Sequence, residues 1–170
     1  MNPMRPLPRL ILRDMSLMAI GALLWALTLQ SASINTLAVI ALNGLTALMT
    51  VLLGYLLHEW GHLAGAWISG SVVHLPAGAW GSPFLFRFDT GRNNRQQFLA
   101  MSAGGFIASA LVVAALLLLL PMPLLASRLA LGLTVLGVLA TFMLEIPPAW
   151  RVYRGNAMPV GVAFVNEMEP

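Results

Sequence analysis

Apolar residues occupy four long stretches of the chain, and short polar segments separate them. The stretches cover residues 15–34, 36–57, 98–120 and 124–144. About 20 mostly apolar residues are enough for a helix to cross the hydrocarbon core of a membrane. The pattern therefore predicts an all-α polytopic membrane protein with four transmembrane helices in a single membrane domain, residues 1–170.

The residues that follow the second, third and fourth spans indicate where each of these helices is expected to end. The second span leads straight into a further helical stretch and is expected to continue as a helix to about residue 68. Two prolines follow residue 120 and stop the third span, and Pro147 with Pro148 ends the fourth. Proline lacks an amide donor and favours a turn at such positions.

Residues 70–97 form the one sizeable polar segment between the spans. Polar and apolar side chains alternate at 71–75, and 84–88 is a second strand-like stretch, with helix-breaking glycines and prolines between the two. We expect a short β-hairpin or re-entrant loop here, because irregular backbone is tolerated at membrane depth where it faces protein or water. Residues 149–170 are expected to form a C-terminal tail.

Composition agrees with a membrane protein. The chain is 59% hydrophobic and only 9% charged, with a mean hydropathy of +0.84, whereas soluble domains are about 25% charged. All nine basic residues are arginines, and their excess over six acids suits membrane topology rather than a nucleic-acid partner. Because the chain has no cysteine, metal ligands are restricted to His, Asp and Glu.

The arginines predict the orientation of the spans. Only Arg128 lies in the connection between the third and fourth spans. The other eight precede the first span, lie between the second and third, or follow the fourth: Arg5, Arg9, Arg13, Arg87, Arg92, Arg95, Arg151 and Arg154. Under the positive-inside rule, both termini and the hairpin are cytoplasmic. We expect a multi-pass integral protein of a bacterial inner membrane.

The first span has an alternative interpretation as a cleaved signal peptide. Its start carries arginines, its middle is apolar, and Ser31-Ala32-Ser33 offers small residues for cleavage. The apolar stretch is long enough to span a membrane, which favours an uncleaved helix. The topology of the later spans is the same in both cases.

His58-Glu59-Trp60-Gly61-His62 is an H-E-x-x-H motif at the cytoplasmic end of the second span. Two histidines four residues apart lie on one face of a helix and can bind one metal ion. The glutamate between them is the usual general base of such a zinc hydrolase. Ionisable side chains at membrane depth are costly and indicate a functional site. We therefore predict Zn²⁺ bound by His58 and His62, with Glu59 as the catalytic residue.

A catalytic zinc site needs a third protein ligand, and Asp89, His74 and Glu145 are the candidates. The remaining acids lie towards the termini: Asp14, Glu167 and Glu169. Glu145 is favoured, because the fourth span runs in the same direction as the second and ends at the same depth. We expect Asp89 to be solvated or paired with a neighbouring arginine, and His74 to lie on the hairpin.

Two simpler interpretations accompany the metal site. The histidines could be a buried polar pair that hydrogen-bonds between helices, although a metal explains both histidines and the two glutamates together. Gly61-x-x-x-Gly65 also matches a small-residue helix-packing motif. Close approach of another helix, through Gly104 and Gly105, is compatible with metal binding because it would bring a third ligand near.

The order of these motifs resembles the site-2 protease family of intramembrane metalloproteases. Residues 62–73 are similar to the stretch that follows the family's second histidine, and 102–109 are similar to its A-G-P-x-x-N helix start, with Gly105 and Ser109 at the Pro and Asn positions. Leu144-Glu145 resembles its L-D-G, whose Asp is the third zinc ligand. The likeness covers about residues 36–154.

The resemblance implies a zinc protease that cuts a membrane-embedded or membrane-proximal peptide near the cytoplasmic face. Its partners would be that substrate, the lipid bilayer and subunits of a membrane complex. Ser109 or Asn94 could assist at the oxyanion, and the 84–88 strand could pair with an unwound substrate. The alternative is a catalytically inactive membrane subunit of the same shape that scaffolds partner helices.

Overall fold

Four helices make up most of the protein. The structure is a computed structural model that describes residues 6–31, 36–80, 82, 84–160 and 164–165. The helices are α1 (Leu7–Gln30), α2 (Leu37–Ile68), α3 (Arg95–Leu119) and α4 (Leu125–Tyr153). All four are long and apolar enough to cross a membrane. The prediction of a mostly helical chain with four helices of membrane-spanning length and composition is confirmed.

The second span was predicted most closely. The Thr36 hydroxyl accepts a hydrogen bond from the Val39 amide at the start of α2, and the helix runs unbroken to Ile68. Gly70 follows with φ +68°, a left-handed conformation that glycine adopts without strain. The H-E-x-x-H motif thus lies inside one continuous helix, as expected.

The largest departures from the predicted spans are at two helix ends. Helix α1 begins at Leu7, so Arg13 and Asp14 lie within it rather than before it. Helix α4 passes through Pro147 and Pro148 and ends only at Tyr153, although the prolines were expected to end it. A proline loses one amide donor, but its fixed φ is helical, so a short terminal stretch can continue past it.

A small sheet lies beside the ends of α2 and α4. It contains β1 (Val73–His74), β2 (Arg87–Asp89) and β3 (Phe164–Val165), in the order β1-β2-β3. Strands β1 and β2 are antiparallel, which confirms the hairpin, although β2 starts later than the expected strand at 84–88. Strand β3 comes from the C-terminal tail and pairs in parallel with β2. The tail had no predicted structure.

Some of the sequence expectations fall on residues outside the described ranges. Two of them, Ala32 and Ser33, belong to the proposed cleavage motif. The others are Arg5, Ile34, Gly81, Pro83, Glu167 and Glu169.

Helix α2 lies at the centre and packs against α1, α3 and α4, most extensively against α3. At the α2–α3 contact, the backbones of the two helices approach each other closely. A Cβ placed on Gly61 would lie 2.6 Å from the Gly104 carbonyl oxygen, and one on Gly65 would overlap the carbonyl of Ala100. The predicted small-residue packing motif is therefore where the two helices meet.

Candidate metal centre

His58 and His62 lie on successive turns of α2 and face the same point. Both are buried, with 4% and 9% of their surface exposed. Their Nε2 atoms are 3.0 Å apart. The helical spacing read from the sequence therefore brings the two imidazoles together.

Helix α3 orients both rings through their other nitrogen. His58 Nδ1 is 3.1 Å from the Gly105 carbonyl oxygen and 2.9 Å from Ser109 Oγ. His62 Nδ1 is 2.9 Å from the carbonyl oxygen of Met101. Because a carbonyl only accepts hydrogen bonds, each Nδ1 carries the proton and donates it. In the neutral rings, both Nε2 atoms then present a lone pair.

Glu145 of α4 completes the group. Its Oε1 is 3.3 Å from His58 Nε2, and its Oε2 is 3.2 Å from His62 Nε2. A tetrahedral site with bonds of about 2.0–2.2 Å separates its ligand atoms by roughly 3.3–3.6 Å. The three observed separations, 3.0, 3.2 and 3.3 Å, lie at or slightly below that range, and electron-rich groups so close together repel one another unless a cation lies between them. The three residues fit a metal ion and could hold one.

The other two candidates for the third ligand satisfy each other. His74 Nε2 donates to Asp89 Oδ2 at 2.8 Å, and Asp89 is fully buried. Burial alone would raise the pKa of Asp89, but the His74 hydrogen bond and the amides of Arg92 and Gly91 outweigh it and hold that pKa below its usual range. Asp89 is therefore buried and its side chain pairs with His74, whereas it had been expected to be solvated or paired with a neighbouring arginine.

Asp14 also differs from expectation. It was grouped with the terminal acids, but it is buried and bonds Trp60, the residue after Glu59. Trp60 Nε1 donates to Asp14 Oδ2 at 2.7 Å, and Arg13 Nε donates to Asp14 Oδ1 at 2.6 Å. Arg13 also reaches the Ala79 carbonyl in the hairpin loop at 2.6 Å. Helix α1 therefore ties the motif to the hairpin.

Glu59 lies close to the histidines without joining their ligand group. Its Oε2 accepts a hydrogen bond from the Leu85 amide at 2.9 Å, and only 6% of the residue is exposed. It lines a cavity of about 190 Å³ together with His62 and Glu145. The other walls of this cavity are Phe84, Phe86, Phe98, Met101, Ser102, Leu144 and Pro148. Glu59 and two of the three candidate metal ligands, His62 and Glu145, thus face one mostly apolar space.

The two residues considered as oxyanion donors have structural roles. Asn94 caps α3: its side chain accepts from the Gln97 amide, and Gln97 reaches back to the Asn94 amide. Ser109 Oγ bonds His58 Nδ1, the ring nitrogen that is not the candidate ligand atom. Sequence reasoning missed the carbonyls of Met101 and Gly105 and the amide of Leu85, because every residue carries such groups.

Comparison of this chain with protein-family models, curated proteins and solved structures finds no match.

Proposed function

We propose that the protein is an intramembrane zinc metalloprotease. The observation that carries the proposal is the convergence of Glu59, His62 and Glu145 on one cavity, with His58 Nε2 3.0 Å from His62 Nε2. His58, His62 and Glu145 would hold Zn²⁺, the metal that two imidazoles and a carboxylate suit in catalytic sites. When bound, zinc supplies Lewis-acid activation of a water molecule and of the scissile carbonyl.

Glu59 acts as the general base. Its carboxylate takes the proton of the attacking water as the water oxygen bonds to the carbonyl carbon, and then gives that proton to the amide nitrogen as the C–N bond breaks. The Leu85 amide holds Oε2 in place for both transfers. The products are a carboxylic acid and an amine, so water is the only co-reactant.

The substrate is a peptide segment that reaches the cavity beside Glu59, which we name the catalytic cavity, from the membrane or its surface. The cavity walls are mostly aromatic and aliphatic, and they suit an apolar side chain next to the scissile bond. The arginine distribution favours a cytoplasmic location for this end of the helices in a bacterial inner membrane. Further subunits of a membrane complex would present the substrate.

The test compares purified wild-type protein with Glu59→Gln and Glu145→Ala. We expect one zinc per wild-type chain, and cleavage of a model transmembrane peptide that falls about 10²–10⁴-fold in Glu59→Gln, because a general base contributes that much. Glu59→Gln should retain its zinc, whereas Glu145→Ala should lose most of it. Removal of zinc by a chelator should abolish cleavage, and re-addition should restore it.

Four results would count against this proposal or a part of it. Wild-type protein without zinc, or equal cleavage by all three forms, would rule out a zinc protease. Zinc bound normally without cleavage of any membrane peptide would favour the alternative, an inactive subunit that scaffolds partner helices. Full zinc retention in Glu145→Ala would show that Glu145 is not the third ligand.

A further inference from the structure

The two prolines of α4 leave one backbone carbonyl of that helix without a donor. In an α-helix, each carbonyl accepts a hydrogen bond from the amide four residues later. The carbonyl of Leu144 would need the amide of residue 148, but Pro148 has none, and Pro147 removes the amide three residues later. The next amide, that of Ala149, is in helical register with the Glu145 carbonyl. The helix therefore supplies no regular hydrogen bond to the Leu144 carbonyl.

This carbonyl lies on the face of α4 that borders the catalytic cavity. Leu144 and Pro148 are four residues apart, which places them on one side of the helix, and both line the cavity. A helical carbonyl points along the axis towards the residue four positions later. The Leu144 oxygen therefore lies between two residues of the cavity wall.

No group outside α4 replaces the missing amides. Within the part of the chain that the structure describes, no backbone amide or side chain of another element bonds the Leu144 carbonyl. Ser102 of α3 also lines the cavity, but its hydroxyl bonds none of the described residues. His62 uses its Nδ1 proton for the Met101 carbonyl, and the other lining side chains are carboxylates or carry no polar hydrogen. The cavity thus contains an acceptor that its own walls do not satisfy.

Such an acceptor is well matched to an extended peptide. Hydrocarbon offers no hydrogen bonds, and prolines are tolerated in membrane helices where another group bonds the freed carbonyl. A helical peptide bonds its own amides internally, whereas an extended one leaves them free for a partner. The backbone of a substrate opened for cleavage can therefore supply the missing donor.

We propose that the Leu144 carbonyl is a substrate-binding group that accepts a hydrogen bond from a backbone amide of the substrate. This inference rests on the proposed function, since that function brings a peptide backbone into the catalytic cavity. Glu145, the next residue, belongs to the candidate metal-ligand group, so a peptide held at Leu144 lies beside that group. The contact reads backbone and not side chains. It favours an extended segment of any sequence over a helical one.

The experiment measures the affinity of the model transmembrane peptide for the zinc-loaded Glu59→Gln protein in lipid nanodiscs. A set of peptides replaces one backbone N–H at a time by an ester oxygen, and a fluorescent label reports binding. One ester position should bind about three- to tenfold more weakly than the parent peptide, which is the size of one net hydrogen bond. In a peptide that the wild-type protein cleaves, this position should lie next to the cut site.

Pro148→Ala is the decisive variant, because residue 148 then has an amide that bonds the Leu144 carbonyl within the helix. The parent peptide should bind about three- to tenfold more weakly, and the sensitive ester should cost nothing further. Pro147→Ala is the matched control. Its new amide bonds the carbonyl of Met143, and neither residue lines the catalytic cavity. The control should keep both the affinity for the parent peptide and the ester effect.

Carbonyl NMR locates the hydrogen bond independently of affinity. Leu144-Glu145 is the only Leu-Glu pair in the sequence, so ¹³C-carbonyl leucine combined with ¹⁵N-glutamate gives one signal, that of the Leu144 carbonyl. A carbonyl ¹³C signal moves downfield when its oxygen accepts a hydrogen bond. We expect this change when the parent peptide binds, and a downfield position in Pro148→Ala with or without peptide. Ser102→Ala should leave the signal of the peptide-free protein unchanged.

Equal ester costs with and without Pro148→Ala, or a Leu144 signal that peptide binding does not move, would overturn the proposal. So would failure of every peptide to bind, or an upfield change in Ser102→Ala, which would make the serine the partner of the carbonyl. None of these measurements requires turnover. A peptide that binds as expected but is never cut supports the Leu144 contact and counts against the protease. Cleavage without any ester effect removes only the role of Leu144.

Discussion

The α2–α3 contact and helix α4 position the ligands of the candidate metal centre in different ways. At the α2–α3 contact, glycines bring two backbones together, and three backbone or hydroxyl oxygens of α3 orient the two imidazoles. Helix α4 contributes one carboxylate, whose side chain remains 35% exposed. Its glycines Gly132 and Gly137 have nothing within 4 Å of where a Cβ would lie.

The difference shows that the ligands have unequal freedom to adjust. A backbone carbonyl moves only with its helix, so the imidazoles are placed by the helix contact itself. A glutamate has several rotatable bonds and can follow a metal over a short distance. We expect changes at the α2–α3 contact to cost more than similar changes on α4.

The largest effect is expected for Gly105→Ala. A Cβ at this position would overlap the ring of His62, and the Gly105 carbonyl also orients His58. The added methyl must displace one imidazole or separate the helices. Groups that orient metal ligands contribute about 10–100-fold in affinity, and we expect a loss at the upper end of that range or beyond. Competition with a fluorescent zinc chelator measures it.

Gly137→Ala is the matched control for this measurement, because its new methyl meets nothing within 4 Å. Its zinc affinity should equal that of the wild type. If both variants bind zinc equally well, the α2–α3 contact does not position the histidines.

A smaller effect is expected for Gly61→Ala, which should lower the free energy of unfolding. Its methyl would lie 2.6 Å from the Gly104 carbonyl oxygen and 2.5 Å from the Ala108 Cβ, so α3 must move away. Overpacking of this kind costs about 1–3 kcal/mol. Thermal unfolding in detergent should therefore occur at a lower temperature than in the wild type.

Gly132→Ala provides the comparison on α4, where a methyl has open space. It should unfold at the wild-type temperature or slightly above it, because alanine favours a helix more than glycine does. Equal destabilisation of the two variants would mean that helix flexibility, and not the close contact, decides stability.

The smallest effect is expected for Glu145→Asp. The carboxylate becomes shorter by one methylene, but it remains on a partly exposed side chain that can adjust. We expect zinc binding about tenfold weaker, equivalent to about 1.4 kcal/mol, and clearly tighter than that of Glu145→Ala. An aspartate variant as weak as the alanine variant would show that α4 is as rigid as the α2–α3 contact.

The sequence was sufficient for the features that depend on periodicity. Four apolar stretches predicted four helices, and the spacing of His58 and His62 predicted that their rings would meet. The common direction of the second and fourth spans led to Glu145, and the structure places its carboxylate beside both rings. That these residues bind zinc stays a prediction.

The remaining features depend on contacts that no local pattern encodes. Helix α4 continues through two prolines, and β3 forms only by pairing with a strand from a distant segment. The pairing of His74 with Asp89 likewise requires the hairpin to close. Gly105 could be recognised as small, but the sequence does not reveal that the His62 ring fills the space beside it.

The position of Glu145 in the chain also determines when the candidate ligand group can form during synthesis. It lies 83 residues after His62 in the chain. Synthesis proceeds from the N-terminus, so a growing chain can bring α2 and α3 together before α4 has left the ribosome. Such a chain holds two of the three candidate ligands. The candidate ligand group is completed only when α4 packs against α2, so a metal ion held by all three residues would be loaded late in biogenesis.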